Sequence, residues 1–251
     1  MKIIEIREPR IGKAVTRATV DYLDKNQGEL HSVDYENFIE LEYDLFSKLE
    51  KLGWRSLGNG HFSMVFFNAR KPYILKVNMV SDPGYTAFAK MAKQYPNKYF
   101  PKISDLKELK SNGREYGIYL IEKLVKMEIE RANIYAEILR SVLKGEKGQL
   151  TLNNTDAHRL GYSQSQWEHI MEEIFGDPEF VSAINMIVAG VKSRRFQVDM
   201  HQNNIMQRAD GTPVIIDPYA TLATEYSPMY TSEDNPSDNP SDKSSAYYRS
   251  L

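Results

Sequence analysis

Asp199-Met-His-Gln-Asn-Asn204-Ile-Met206, followed by Val214-Ile-Ile-Asp217-Pro-Tyr219, is the stretch on which the reading of this 251-residue chain turns. It places a carboxylate, an amide five residues on, and a second carboxylate at the end of an apolar run. A strand ending in Asp gives that carboxylate rigid support at the lip of a cleft, as a magnesium ligand requires. The D-x-x-x-x-N spacing, with the second Asp 13 residues after the Asn, fits phosphoryl transfer. In that chemistry the first Asp orients a hydroxyl, and the Asn and second Asp hold magnesium.

Upstream lie two supporting segments. In Leu57-Gly-Asn-Gly60-His-Phe-Ser63-Met-Val65 the glycines of a strand–turn–strand let backbone amides approach phosphates closely, because no Cβ intervenes. Taken alone this is an ordinary hairpin, and Ser63 stands where the kinase pattern has its third glycine. In Ile74-Leu-Lys76-Val77 a lysine is flanked by apolar residues on a strand. Burying an ammonium is costly without a partner, and a phosphate is such a partner. One hairpin after the glycine segment, Lys76 has the position of the kinase lysine that holds the α- and β-phosphates. The candidate set is therefore Lys76 and Asp199 as catalytic residues, with Asn204 and Asp217 as metal ligands.

Around these motifs the first half alternates in short β-type runs and the second half is helical in period. Lys2–Arg7 is an expected strand, and apolar spacing from Phe38 to Leu52 predicts a helix starting near Ser32–Asp34 and stopping at Gly53. Strands are expected over Leu57–Phe67 and Tyr73–Met79, with Asn68–Pro72 connecting them, and over Phe100–Ile103 and Gly117–Lys123. Helices are expected over Tyr85–Tyr95, Met127–Leu143, Gln164–Phe175 and Pro178–Lys192. The fold class is α+β: a bilobal protein-kinase-like fold with a reduced C-lobe. The expected organisation is an N-terminal strand and helix over 1–53 packed on an N-lobe of 54–123. A reduced C-lobe over 124–222 and a disordered acidic, Ser/Pro-rich tail over 223–251 complete it.

Composition bounds the rest. With 41% hydrophobic and 26% charged residues the chain can bury a core. A net charge of −2 argues against direct nucleic-acid binding. There are no cysteines, hence no disulfide framework or thiolate metal site. No apolar run approaches a membrane span and no signal-peptide core is present, which suits a cytoplasmic protein. Residues from Leu222 to Leu251 carry five acids and two bases, leaving +1 for everything before them.

The chain resembles the early serine/threonine protein kinases of T-seven-type lytic phages. The resemblance is carried by Leu57-Gly-Asn-Gly-His-Phe-Ser63, Tyr85-Thr-Ala-Phe88, Asp199-Met-His201, Asn204-Ile-Met206 and Asp217-Pro218, and covers roughly Leu57 to Ala220. It implies ATP, Mg2+, autophosphorylation and host bacterial proteins as substrates in the infected cell. By the same resemblance Gly58, Gly60 and Ser63 line the phosphates and Lys76 clamps them. General kinase resemblance makes Leu57, Val65 and Ile74 the roof of the adenine and Met206 its floor, with Glu122 and Leu124 offering backbone groups at the hinge. The acidic tail reads either as a solvated end or as an autophosphorylation segment, with Ser and Thr residues between Ser227 and Ser245 as its acceptors.

The sequence departs from the general kinase pattern in four ways. The helix Tyr85–Tyr95 has no Glu to pair with Lys76, so its acid comes from the Asp34–Glu50 helix or from Asp217 alone. Gln197 holds the place of the His in H-R-D, Pro218-Tyr219 replaces Phe-Gly, and no A-P-E follows. Two other classes stay open. The Asp-x-His-x-x-Asn of Asp199–Asn204 and the expected lack of most of the peptide-binding subdomain suit an aminoglycoside- or choline-type small-molecule kinase. A kinase-shaped inhibitor of a host enzyme is the other, and the intact Lys76, Asp199, Asn204 and Asp217 argue against it.

Overall fold

The structure, a computed structural model, describes residues 9–26, 44–59, 63–78, 82–111, 114–144, 161–194 and 196–221. The expected strand Lys2–Arg7, Gly60 of the glycine segment, the start of the helix expected from Asp34 and the acidic tail lie outside them.

Helix α1 (Lys13–Asn26) and helix α2 (44–50) precede the strands β1 (Arg55–Asn59), β2 (Ser63–Phe67) and β3 (Tyr73–Asn78). Helix α3 (Pro83–Gln94) leads to β4 (Ile103–Ser111) and β5 (Arg114–Glu122). These five strands form one antiparallel sheet in the order β1-β2-β3-β5-β4. Strand β6 (Val125–Lys126), the helices α4 (Ile129–Lys144), α5 (Gln164–Phe175) and α6 (Pro178–Arg194), and β7 (Phe196–Val198) follow. A 3-10 turn (Gln202–Asn204), β8 (Ile205–Gln207), β9 (Pro213–Ile215) and β10 (Tyr219–Thr221) complete the chain. Two small sheets, β6-β8-β9 and β10-β7, tie this second half together.

Period-2 alternation decides which side chains meet. Leu75 and Val77 of β3 and Tyr116, Ile118 and Leu120 of β5 point to one face, where they pack with Val15, Tyr22 and Leu23 of α1 and Leu45 and Leu49 of α2. The opposite face, with Ile74, Tyr119 and Ile121, packs on α3 and on residues of the helical half such as Ile138, Phe180 and Ile187. Lys76 sits on that second face, across from Val65 on β2 and Tyr119 on β5. Since α2 packs on the other face, its described residues do not supply the acid for Lys76.

Helix α3 is the pivot of the second face. Pro83 fits the first helical turn, where no N–H is needed, and the Asp82 side chain accepts the Tyr85 N–H at 2.9 Å. Tyr85, Phe88, Ala89 and Ala92, at helical spacing, form its buried stripe. Phe88 meets Phe100 and Tyr219 edge-on, at 5.5 and 6.2 Å between ring centroids. Tyr219 in turn donates to the Ile187 carbonyl at 3.1 Å. α5 begins with a capping box in which the Ser163 hydroxyl accepts the Gln166 N–H and the Gln166 side chain accepts the Ser163 N–H.

Several elements differ from expectation: the run expected over Leu57–Phe67 is the two strands β1 and β2, and β6, β7 and β10 have no expected counterpart. The strand placed at Phe100–Ile103 begins only at Ile103 and runs to Ser111, because Phe100 is consumed in the core against Phe88. β5 begins at Arg114 rather than Gly117, since it pairs along the full length of β4. α1 has no counterpart among the expected elements. Its buried stripe includes Thr19 and Asn26, whose side chains bond back to the carbonyls of Val15 and Tyr22. Among the described residues no helix is long and apolar enough to cross a membrane.

Candidate active site

The site begins with the ladder that fixes Lys76. Its ammonium lies 3.2 Å from Asp217 Oδ2 and 3.2 Å from the centroid of the Tyr85 ring. The Lys76 side chain is 12% exposed and that of Asp217 27%, so the pair is largely removed from water. A buried ammonium is tolerated only with such compensation.

Asp217 is held in place by the segments around it. It follows β9, which pairs with β8, and Ile216 N–H donates to the Asn204 carbonyl at 2.9 Å. Asp199 N–H donates to the Pro218 carbonyl at 2.9 Å. The Asn204 side chain donates through Nδ2 to the Asp199 carbonyl at 2.7 Å, which leaves Oδ1 as the acceptor it has to offer. These bonds bring Asp199, Asn204 and Asp217 to one place, with Lys76 reaching in from the sheet. The Asp199 carboxylate is about half exposed, and His201 Nε2 lies 3.8 Å from its Oδ1.

Asp217 pairs with the ammonium, and the charges of Asp82 and Asp199 are felt at the same carboxylate. Burial raises the pKa of Asp217 to about 6; Lys76 pulls against that rise, and the charges of Asp82 and Asp199 add to it. Burial likewise raises Asp82, against the pull of Lys76 and the Tyr85 N–H. Asp217 Oδ1 is buried and has no hydrogen-bond partner among the described residues. An orphaned carboxylate oxygen is costly and is the atom a cation would take. Among the described residues no group of three or more His, Asp or Glu is placed to hold a metal. Mg2+ does not need one, because it is usually held by one or two carboxylates plus substrate phosphates. Asp217 and Asn204 fit that pattern.

The remaining expected residues border this centre. Gly58 has φ 157° at a bulge in β1, a backbone that favours glycine. Leu57 beside it is exposed, Ser63 is buried, and Val65, Ile74 and Met206 are half-buried. At the expected hinge, Glu122 N–H is committed to the Lys102 carbonyl at 3.0 Å. The Glu122 carboxylate accepts from Arg208 Nη2 at 2.6 Å, Arg208 Nε at 3.1 Å and Lys102 N–H at 2.8 Å. Arg208 also donates to the carbonyls of Phe100, at 2.9 Å, and Lys98.

Asp82 and Arg140 lie outside every motif, and Tyr85 enters the sequence reading through the Tyr85-Thr-Ala-Phe88 stretch, without a role. The expected helix begins only at Tyr85, and nothing in Asp82-Pro83 marks it as part of the site. Arg140 of α4 donates through Nη2 and Nε to the Met200 carbonyl, at 2.8 and 3.2 Å, and pairs with Glu137. It steadies the loop between Asp199 and Asn204.

A profile of the family described as bacteriophage T7 protein kinase 0.7 matches residues 2–239. No curated protein matches the chain. Among solved structures, the streptomycin–ATP–APH(2″)-IIa ternary complex is similar at 14% identity, over 75% of this chain and 73% of that one. Its TM-score is 0.28, too low for the likeness to bear on fold or ligand.

Proposed function

Given that the chain belongs to the bacteriophage T7 protein kinase family, a family of phosphotransferases, we propose that it transfers the γ-phosphoryl group of ATP, with Mg2+, to serine and threonine hydroxyls. The acceptors are host bacterial proteins and the chain itself, between Ser227 and Ser245. The observation that carries this reading is the Lys76–Asp217 pair at 3.2 Å. It joins the glycine-bearing sheet to the loop of Asp199 and Asn204 across 141 positions of sequence.

Each residue has a role that follows from its place. Lys76, already balanced by carboxylates, clamps the phosphates as a point charge. Gly58, Gly60 and Ser63 line the phosphates from above. Leu57, Val65 and Ile74 cover the adenine, Met206 lies beneath it, and Glu122 and Leu124 border it. Asp217 and Asn204 would hold the cation, which would neutralise charge developing on the transferred group. The acceptor oxygen attacks the γ-phosphorus, the bond to the bridging oxygen breaks and ADP departs. The hydroxyl proton passes to Asp199, which is exposed enough to meet a protein side chain.

A small-molecule acceptor is the second reading, favoured by His201 beside Asp199. Labelled ATP and Mg2+ with bacterial lysate, and in parallel with an aminoglycoside or choline, separate the two. Label on serine and threonine of proteins supports the first; label on the small alcohol alone supports the second. No label in any arm overturns both.

A further inference from the structure

Asp217 is the acid nearest Lys76, yet the proposed function asks Asp217 to hold a cation and Lys76 to turn toward phosphates. Something else must then keep the ammonium in place. The first turn of α3 is built for this. Tyr85 presents its ring face 3.2 Å from Lys76 Nζ, and Asp82, one turn earlier, caps the helix by accepting the Tyr85 N–H at 2.9 Å. We propose that Asp82 and Tyr85 are positioning residues for Lys76: the aromatic face and the capping carboxylate together seat the ammonium when Asp217 is engaged elsewhere. The inference rests on the function proposed above.

The seat is itself fixed by a buried polar chain. Tyr119, whose ring meets that of Tyr85 edge-on at 4.8 Å, shares a hydrogen bond with the Thr86 hydroxyl at 2.7 Å. Thr86 donates to the Asp82 carbonyl at 2.9 Å, and Asn78 Nδ2 reaches Tyr119 Oη at 3.4 Å. Gly117 makes room for this: a Cβ there would lie 1.9 Å from Tyr119 Oη. The end of β3, β5 and the helix start are thus locked together around the lysine. A ring face under an ammonium in a site removed from water is a strong form of this contact. The carboxylate adds charge without touching the nucleotide. Lys76 also holds the pKa of Asp82 below what burial alone would give.

Asp82→Asn separates the two roles of that residue, because Asn caps a helix as well as Asp does but carries no charge. Full-length wild type, Asp82→Asn, Tyr85→Phe and Tyr85→Leu are compared by melting temperature, by KM for ATP against kcat, and by the rate at which acetic anhydride modifies Lys76. The expected result for Asp82→Asn is an unchanged melting temperature, a KM for ATP raised about tenfold, and faster acetylation of Lys76. Tyr85→Phe keeps the ring face and stays within about twofold, whereas Tyr85→Leu loses about tenfold. Unaltered KM and unaltered Lys76 acetylation in Asp82→Asn would show Asp82 to be a cap only and overturn the inference. If wild type transfers no phosphate, the proposed function fails, and the acetylation rates alone decide whether α3 seats Lys76.

Discussion

Replacing Arg208 with Ala removes the clasp between the sheet and the β8–β9 hairpin, and its cost follows from the partners left behind. Arg208 and Glu122 are 16% and 18% exposed. The substitution deletes a two-point ion pair and two donations, to the carbonyls of Phe100 and Lys98. Glu122 retains a single donor, Lys102 N–H. Breaking a buried pair from one side costs about 3–5 kcal/mol, and the surviving Lys102 bond puts this case near 3. For a chain of this size that is a fall in melting temperature of about 6–12 °C. Arg208→Lys should recover little, because an ammonium cannot serve a fork and two carbonyls at once. Denaturant titration of Arg208→Met, Glu122→Gln and the double variant reads the coupling directly. A loss under about 1 kcal/mol for Arg208→Ala, or additive single effects, would refute the clasp.

Other expectations concern the core, the charge and the loop. Gly190→Ala drives a Cβ to within 2.0 Å of Tyr219 Oη and should destabilise by about 1–3 kcal/mol in thermal unfolding. Asp217, raised from 3.8 to about 6 in the fold, binds its proton more tightly folded than unfolded. Its contribution is full below pH 3.8 and is lost as pH rises through 6, a difference of about 3 kcal/mol. Denaturation of wild type and Asp217→Asn at pH 3.5 and 7.5 should show it as a pH-dependent gap. Magnesium-dependent nucleotide binding runs the other way and should weaken as pH falls through 6. Arg140→Ala frees the Met200 carbonyl and should lower kcat about tenfold with little change in nucleotide affinity, read by steady-state kinetics.

What was legible in the sequence was whatever is encoded by local order. Asp199, Asn204 and Asp217 were legible through the D-x-x-x-x-N motif and its spacing, and the strand around Lys76 through its apolar flanks. α5 and α6 follow from apolar spacing. β4 failed because Asp105, Lys107, Glu108 and Lys110 dilute its alternation, and its strand character comes from pairing with β5. α1 is hidden by polar members of its buried stripe, and Asp82 by lying outside every motif and every expected element. The pairing of Lys76 with Asp217, 141 residues away, is a tertiary fact that no local pattern contains.

The central claim is that this cleft transfers phosphate with Asp199 acting on the acceptor and not on the nucleotide. The direct measurement is single-turnover transfer from labelled ATP to bacterial lysate proteins by wild type and Asp199→Asn, beside the nucleotide affinity of each. The account predicts a fall of at least about a hundredfold in transfer with affinity within about twofold of wild type. Near-normal transfer by Asp199→Asn, or loss of nucleotide binding in step with transfer, would contradict it.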